Sequence, residues 1–536
     1  MKKQKLIIWF FVGLMFWKIG LFGQRHEGKF PTVFNLDDIN GTNGYVIDDI
    51  VAFGQVNGKG DVNGDGINDV LIGDYAGNRA KNGGQVYIIF GNKEERPQSI
   101  NPLYLNDGNG VTIVSKFSLN SIGYLVSIVG DINKDGVSDI LIGLNKFYVL
   151  FGKKQWPTKV VLEEIDGENG FSIDGGLYGH VSKSASGAGD INGDGFDDVI
   201  VGESRNNQGY VIFGRKNWPK KVILSDLNGI DGFVINGISN DDIGYAVSGT
   251  GDINGDGFDD VVISDPFANN TSGQSYVIFG KNVWPATIDL KNLDGTNGFI
   301  INGINKDDRS GYSVSGADDV NGDSFNDIII SDHNDQSYVI FGSNVTRPLF
   351  VYLSNLDGKN GFILYGANGG FSVSGAGDFN ADNITDVVLG AYGTGGYIGQ
   401  CYVIFGSKET WPTAINVSSL NGTDGFIIHR TNGSFIEHIV DGIGDVNGDG
   451  VDDILIGENH FPSAVTNSYV LFGCCGTVPS PANDYSLALG LGIGGGVVGL
   501  VALGVSSYYG YQWYHRGSYE TVEWRGNTVL RFEACL

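Results

Sequence analysis

One nine-residue pattern, D-x-N-x-D-x-x-x-D, recurs seven times along the chain, beginning at Asp61, Asp131, Asp190, Asp252, Asp319, Asp378 and Asp445. The separations run from 59 to 70 residues and average 64. Other markers keep step with it. A "YVIFG"-type strand ends at Gly91, Gly152, Gly214, Gly280, Gly342, Gly406 and Gly473, and an "NGFII"-type segment starts at Gly44, Gly110, Gly170, Gly232, Gly298, Gly361 and Gly425. A period of this length marks an array of one supersecondary unit, in which no unit buries its apolar face alone.

Each unit holds four short strands: A before the acidic loop, B after it ("DDVVIS"), C ("YVIFG") and D ("NGFII"). The 85 glycines, set against 12 prolines and no Gly-X-Y period, serve tight turns between strands. Hydrophobic residues make up 41% of the chain, ample for a core. The pattern predicts an all-β fold, a seven-bladed β-propeller over residues 30–473. Its repeats lie near 30–91, 97–152, 156–214, 218–280, 284–342, 347–406 and 411–473. An open solenoid of strands is the alternative. The strand offset favours a ring, because the array opens on a D strand at Gly44 and closes on a C strand ending at Gly473. Joining the two leaves no free edge.

The acidic loops predict metal. Side chains at positions 1, 3, 5 and 9 and the backbone carbonyl at position 7 make an all-oxygen donor set, which suits Ca2+ and not zinc. These positions are Asp61, Asn63, Asp65, Ile67 and Asp69 in the first loop, and Asp131, Asn133, Asp135, Val137 and Asp139 in the second. They are Asp190, Asn192, Asp194, Phe196 and Asp198 in the third, and Asp252, Asn254, Asp256, Phe258 and Asp260 in the fourth. The fifth has Asp319, Asn321, Asp323, Phe325 and Asp327, and the sixth Asp378, Asn380, Asp382, Ile384 and Asp386. The seventh has Asp445, Asn447, Asp449, Val451 and Asp453.

An EF-hand loop finishes on a bidentate Glu at position 12. Here that place holds Ile72, Ile142, Val201, Ile263, Ile330, Leu389 or Ile456, which read as core of a buried strand. The loop is therefore expected to close a β-hairpin, with position 9 completing the shell. An Asx-rich turn without metal is the competing reading. Position 6 is Gly in five loops, Ser324 in the fifth and Asn383 in the sixth. A sharp turn there disfavours Ser most, so the fifth site is expected to be the weakest. The loops take 21 of the 61 acidic residues, and seven divalent ions would bring the formal charge from −27 to −13. Three unneutralised carboxylates per loop oppose folding, which implies a calcium-rich compartment.

Residues 1–23 ("MKKQKLIIWFFVGLMFWKIGLFG") carry a basic start and an apolar run of signal-peptide length, with an uncleaved anchor as the alternative. Residues 474–486 read as a stalk. The stretch 487–509 has no charged residue and is long enough to span a bilayer as a helix, although a Gly-rich linker would look similar. His515, Arg516, Arg525 and Arg531 follow it, which sets a short cytoplasmic tail at 510–536 and the propeller outside. A cell-surface protein that crosses the membrane once is expected. The net charge of −27 excludes nucleic acid as a partner. Cys401, Cys474, Cys475 and Cys535 make no disulfide framework and no zinc spacing.

The unit of strand A, acidic loop and strand B resembles the FG-GAP repeat of integrin α-subunit propellers. "FGQVNGKGDVNGDGINDVLIGD" (53–74) keeps the FG and the loop, and "FNLD" (34–37) is similar to the opening of a mature integrin α chain. The resemblance covers about residues 30–473. It implies calcium sites on the lower face and an extracellular protein or glycan ligand on the upper face, built from the B–C and D–A loops. "DYAGNRAKNGGQ", "DPFANNTSGQ" and "AYGTGGYIGQ" are the larger B–C loops. The "GFFKR" signal and the leg domains of the family have no counterpart, which argues against an integrin β-type partner.

The expected function is a non-catalytic ligand-binding or cell-adhesion module. A calcium-dependent lectin would use upper-face aromatics such as Tyr75, Phe267, Tyr392 or Tyr397. A propeller attached to hydrolase or lyase activity is the third reading. The seven histidines form no nucleophile or metal spacing, although His333, His429 and His460 are placed where they reach one face. Sequons at Asn269, Asn344, Asn416 and Asn432 suit a secreted glycoprotein.

Overall fold

A computed structural model of the chain describes residues 30–474 apart from stretches at 51–52, 76–83, 107, 117–121, 144–145, 176–183, 239–241, 368–369, 392–398, 431–438 and 458–465; it also describes three strands between 512 and 530. The chain divides into two compact units, 1–479 and 480–536.

In the first unit each repeat becomes an antiparallel A-B-C-D meander. In blade 4, strand A is Val247–Gly251, B is Asp260–Asp265, C is Gln274–Ile278 and D is Gly298–Asn302. Strands B and C are apolar on both faces because each blade is packed between two others; Val261, Val262 and Ile263 are all fully buried. Seven such sheets form, and each holds five strands rather than the expected four. The fifth, E, is a short outer strand that pairs parallel with D, as Thr287–Asp289 does with Gly232–Asn236 in blade 3. A Trp-Pro segment delivers it. The Trp284 ring stacks on Phe233 at 4.2 Å and 7°, which holds the chain against the neighbouring repeat just before strand E begins.

The ring closes as the offset predicts, and more thoroughly. Gly44–Ile50 is strand D of blade 7, antiparallel to Thr466–Leu471, with Gly44 opposite Leu471. Val33–Asn35 is strand E of blade 6, parallel to Gly425–His429. The N-terminal segment thus completes two blades. The seven A strands line the axis: each packs on the next, and Ile439–Gly444 of blade 7 packs on Phe53–Asn57 of blade 1.

In the second unit, Gln512–Arg516, Tyr519–Glu523 and Val529–Leu530 form a three-stranded antiparallel sheet where a plain tail was expected. The proposed signal peptide at 1–23 and membrane stretch at 487–509 lie outside the described residues. Among the described residues no helix is long and apolar enough to cross a membrane.

Candidate functional site

All seven acidic loops close the A–B hairpin at one end of the ring, called here the lower face. Their position-12 residues, Ile72, Ile142, Val201, Ile263, Ile330, Leu389 and Ile456, are at most 1% exposed, so the place of the EF-hand Glu is core. The position-9 carboxylates are also wholly buried. Asp260 accepts from the Ile253 N–H at 3.0 Å and from the Gly280 N–H at 2.7 Å, which bolts the loop to the end of strand C. The same two bonds recur in every blade. Burial pushes the carboxyl up to about 8 in Asp69, Asp260 and Asp327 and to about 9 in Asp198, with the other loop acids adding to the effect. Among the described residues no ion pair engages position 9.

The other side chains face the loop's own backbone. Asp252 accepts from the N–H groups of Gly255 and Asp256 at 2.6 and 3.2 Å and from that of Gly257 at 2.8 Å. Asp256 accepts from the Phe258 N–H at 3.0 Å, and Asn254 from the Asp256 N–H at 2.8 Å. Among the described residues no three acidic, His or Cys side chains gather closely enough to hold a metal ion by themselves. A carboxylate has about four lone-pair sites, and such bonds leave capacity for a cation. No described N–H donates to a position-7 carbonyl, and Asn133 Oδ1 in the second loop is buried without a hydrogen-bond partner. An oxygen-only donor set, an uncompensated buried carboxylate and available carbonyls fit Ca2+. Asp, Asn and the position-7 carbonyl would hold the ion, which would supply the missing positive charge.

Backbone geometry decides two more loop positions. Position 6 is left-handed in all seven, with φ from 65° at Asn383 and 75° at Ser324 to 90° at Gly257 and Gly450. Position 4 is left-handed as well, at Gly in five loops but at Lys134 (58°) in the second and Ala381 (61°) in the sixth. The sequence reading missed position 4, although five glycines marked it.

The loops also join blade to blade. The position-8 N–H donates to the position-1 carbonyl of the preceding blade: Asn326 to Asp252 at 3.2 Å, Asp259 to Asp190 at 3.4 Å, and finally Asn68 to Asp445 at 3.2 Å, which shuts the circle. A second circle runs from the residue after the "YVIFG" glycine to the position-2 carbonyl, as from Ser343 to Ile253 at 2.8 Å and from Asn92 to Val446 at 3.1 Å. Both circles are complete in all seven blades.

At the opposite, upper end of the A strands lies an aromatic cluster. The rings of Tyr245 and Tyr312 stand 5.2 Å apart. Tyr124 of blade 2 interacts electrostatically with Tyr312 of blade 5; these blades are not neighbours, so both tyrosines face the axis. Tyr75 packs edge-on to Tyr124 at 5.7 Å, Phe267 edge-on to Tyr245 at 5.7 Å, and His333 against Tyr312 at 5.1 Å. The Arg309 guanidinium lies 5.4 Å from the centre of the Phe267 ring. Burial, then Arg309, holds His333 below the usual imidazole range.

The loops beside this cluster are strained. Asn269, Asn270 and Thr271 are left-handed at 50°, 60° and 64°, as are Asp307 at 70° and Arg309 at 56°. Thr271 donates to Asp307 at 2.5 Å, and the Arg309 N–H donates to the Thr271 carbonyl at 3.0 Å, so the two loops hold each other. Thr271 and Arg309 each cost about 1–2 kcal/mol there, Asn and Asp less, and strain of this kind collects at binding sites.

Of the aromatics singled out in the sequence, Tyr75 and Phe267 belong to the cluster, whereas Tyr392 and Tyr397 lie outside the described residues. His333 joins it, His429 sits in strand D of blade 6, and His460 is outside the described residues. Tyr124, Tyr245, Tyr312 and Arg309 were missed. The recurrent "GYLVS", "GYAVS" and "GYSVS" ahead of the acidic loops carried the signal for the tyrosines.

Residues 184–213 and 243–278, spanning strands A to C of blades 3 and 4, match the FG-GAP repeat family. These two segments carry FG-GAP repeats, and the chain is similar to integrin α chains. It is 28% identical to integrin alpha pat-2 of Caenorhabditis elegans over 261 residues, 46% of this chain and 20% of that one. It is 24% identical to the phosphatidylinositol-glycan-specific phospholipase D of Dictyostelium discoideum over 356 residues, 58% of this chain and 35% of that one. The FG-GAP chain therefore spans between a fifth and about a third of these relatives' lengths. Among solved structures, BBS1N in complex with ARL6DN aligns over 83% of this chain and 97% of that one, at 10% identity and a TM-score of 0.37.

Proposed function

We propose that this FG-GAP chain is a non-catalytic recognition module that binds an extracellular protein or glycan at the upper mouth of the propeller, with Ca2+ in the lower loops holding the ring in shape. The observation that carries the reading is the cluster of Tyr124, Tyr245, Tyr312 and Phe267 with Arg309, set among loops that hold five strained residues. Aromatic faces, hydroxyls and one guanidinium on a rigid scaffold suit recognition. The similarity to integrin α chains supports adhesion and a cell-surface location, while a single membrane crossing by 487–509 rests on that stretch being long and uncharged. Similarity to a phospholipase D supports a second reading, a propeller that serves a hydrolase.

The test is binding of the full chain to panels of matrix proteins and glycans, with Ca2+ and with chelator. Phe267→Ala and Arg309→Ala should weaken capture at least tenfold while circular dichroism stays unchanged. Capture indifferent to both substitutions would overturn the assignment of the upper mouth. Turnover of a phosphatidylinositol-glycan substrate by the purified chain would replace the non-catalytic reading with the second one.

A further inference from the structure

Two departures from the sevenfold repeat meet each other. The residue just before position 1 is a left-handed glycine in five blades, Gly130, Gly189, Gly251, Gly377 and Gly444, at φ 65–78°. In blade 5 it is Asp318, left-handed at 52° without being glycine. One residue earlier, six blades bury a small or apolar side chain, from Val129 and Thr250 at 2% exposed to Ala188, Ala317, Ala376 and Ile443 at 0%. Blade 1 has Lys59 there, between Gly58 and Gly60. A Cβ on Gly58 would stand 2.4 Å from Ile443 Cγ2, so the glycine backbone takes up core space and Lys59 is turned out of it. The Lys59 ammonium pairs with the Asp318 carboxylate. Two blades separate blades 1 and 5 on one side of the ring and three on the other. The pair can form only across the axis, at the lower end of the A strands.

We propose that Lys59 and Asp318 form a latch that crosses the axis at the lower end of the A strands and ties blade 1 to the far side of the ring. Blade 1 directly follows Gly44–Ile50, the strand that completes blade 7 by pairing with Thr466–Leu471, so the latch steadies the blade next to that non-covalent seam. It also gives a reason for the strained backbone at Asp318, which a glycine would relieve.

Hydrogen exchange of the backbone amides in Gly44–Ile50, measured on the full chain at fixed Ca2+, reads the seam directly. Lys59→Met should speed exchange about two- to fivefold, the range of a partly exposed ion pair. Asp318→Gly should speed it in the native background despite relieving strain, yet slow it in the Lys59→Met background, where only strain remains. The exchanged pair, Lys59→Asp with Asp318→Lys, should recover slower exchange than either single variant. If Asp318→Gly slows exchange equally in both backgrounds, or Lys59→Met leaves it unchanged, there is no latch. Should Asp318→Gly fold poorly, Asp318→Asn removes the charge at nearly constant shape and must show the same dependence on Lys59.

Discussion

Position 6 of the acidic loops offers a clean measurement, because in four of them a side chain added there touches nothing. A Cβ built on Gly66, Gly136, Gly257 or Gly450 has no heavy atom within 4 Å, and all four glycines are left-handed at 87–90°. The only price of a side chain is therefore backbone strain of about 1–2 kcal/mol. Against that stands the lower entropy of the unfolded chain when glycine is replaced, worth about 0.4–1 kcal/mol. Gly257→Ala should therefore destabilise the protein by about 0.5–1 kcal/mol, and Ser324→Gly should stabilise it by a similar amount. Equilibrium urea denaturation at fixed Ca2+ measures both. If the fifth loop holds Ca2+ only when closed, the same free energy appears as a two- to fivefold tighter site in Ser324→Gly. The reasoning fails if Gly257→Ala is neutral or if Ser324→Gly destabilises. The sixth loop extends the test: Ala381→Gly should stabilise too, since that loop holds two left-handed non-glycine residues, Ala381 and Asn383.

Three further outcomes follow from the geometry. Asp260→Ala leaves the buried N–H groups of Ile253 and Gly280 unpaired, so with chelator present it should still cost about 2–4 kcal/mol in urea denaturation, more than Asp252→Ala, whose partners are exposed. Burial raises the folded pKa of every position-9 carboxyl, to about 8 in Asp69, Asp260 and Asp327 and about 9 in Asp198, so the folded chain holds these protons more tightly than the unfolded one. Their contribution is present in full below the ordinary carboxyl range and is lost as pH climbs through about 8. The chelated protein should accordingly melt higher at pH 5 than at pH 8, and saturating Ca2+ should reverse the order. Trp284→Ala removes the stack on Phe233 and should cost about 3–5 kcal/mol by thermal or urea unfolding, with strand Thr287–Asp289 losing hydrogen-exchange protection first.

The seven blades and the ring closure were legible because they are written in side chains that repeat: the acids of the loop, the "YVIFG" strand and the glycine of "NGFII". Strand E was not, because three residues such as Thr287–Asp289 are too short for an alternation to register and their partner belongs to another repeat. The twin circles of hydrogen bonds join main-chain atoms only, so no residue type announces them. Position 4 could have been read from Gly64, Gly193, Gly255, Gly322 and Gly448, but local turn chemistry supplied a reason for glycine without requiring a left-handed backbone. The upper mouth was half legible. Tyr75 and Phe267 stand in loops and drew notice, whereas Tyr124, Tyr245 and Tyr312 sit within the apolar rhythm of strand A and read as core.

The way the N-terminal segment completes blades 6 and 7 imposes an order in time. Gly44 leaves the ribosome 427 residues before Leu471, the residue opposite it. At translation rates of about 5–20 residues per second, its strand waits roughly 20–85 s for a partner. Throughout that wait a seven-residue strand with the buried side chains Tyr45, Ile47 and Ile50 offers an unpaired edge to any chain nearby. The blades between can assemble as they appear, but the circle cannot. For a newborn molecule the hazard is greatest just before the last blade is made, and a partner that shields this first strand would raise the yield of closed rings without altering the stability of the finished one.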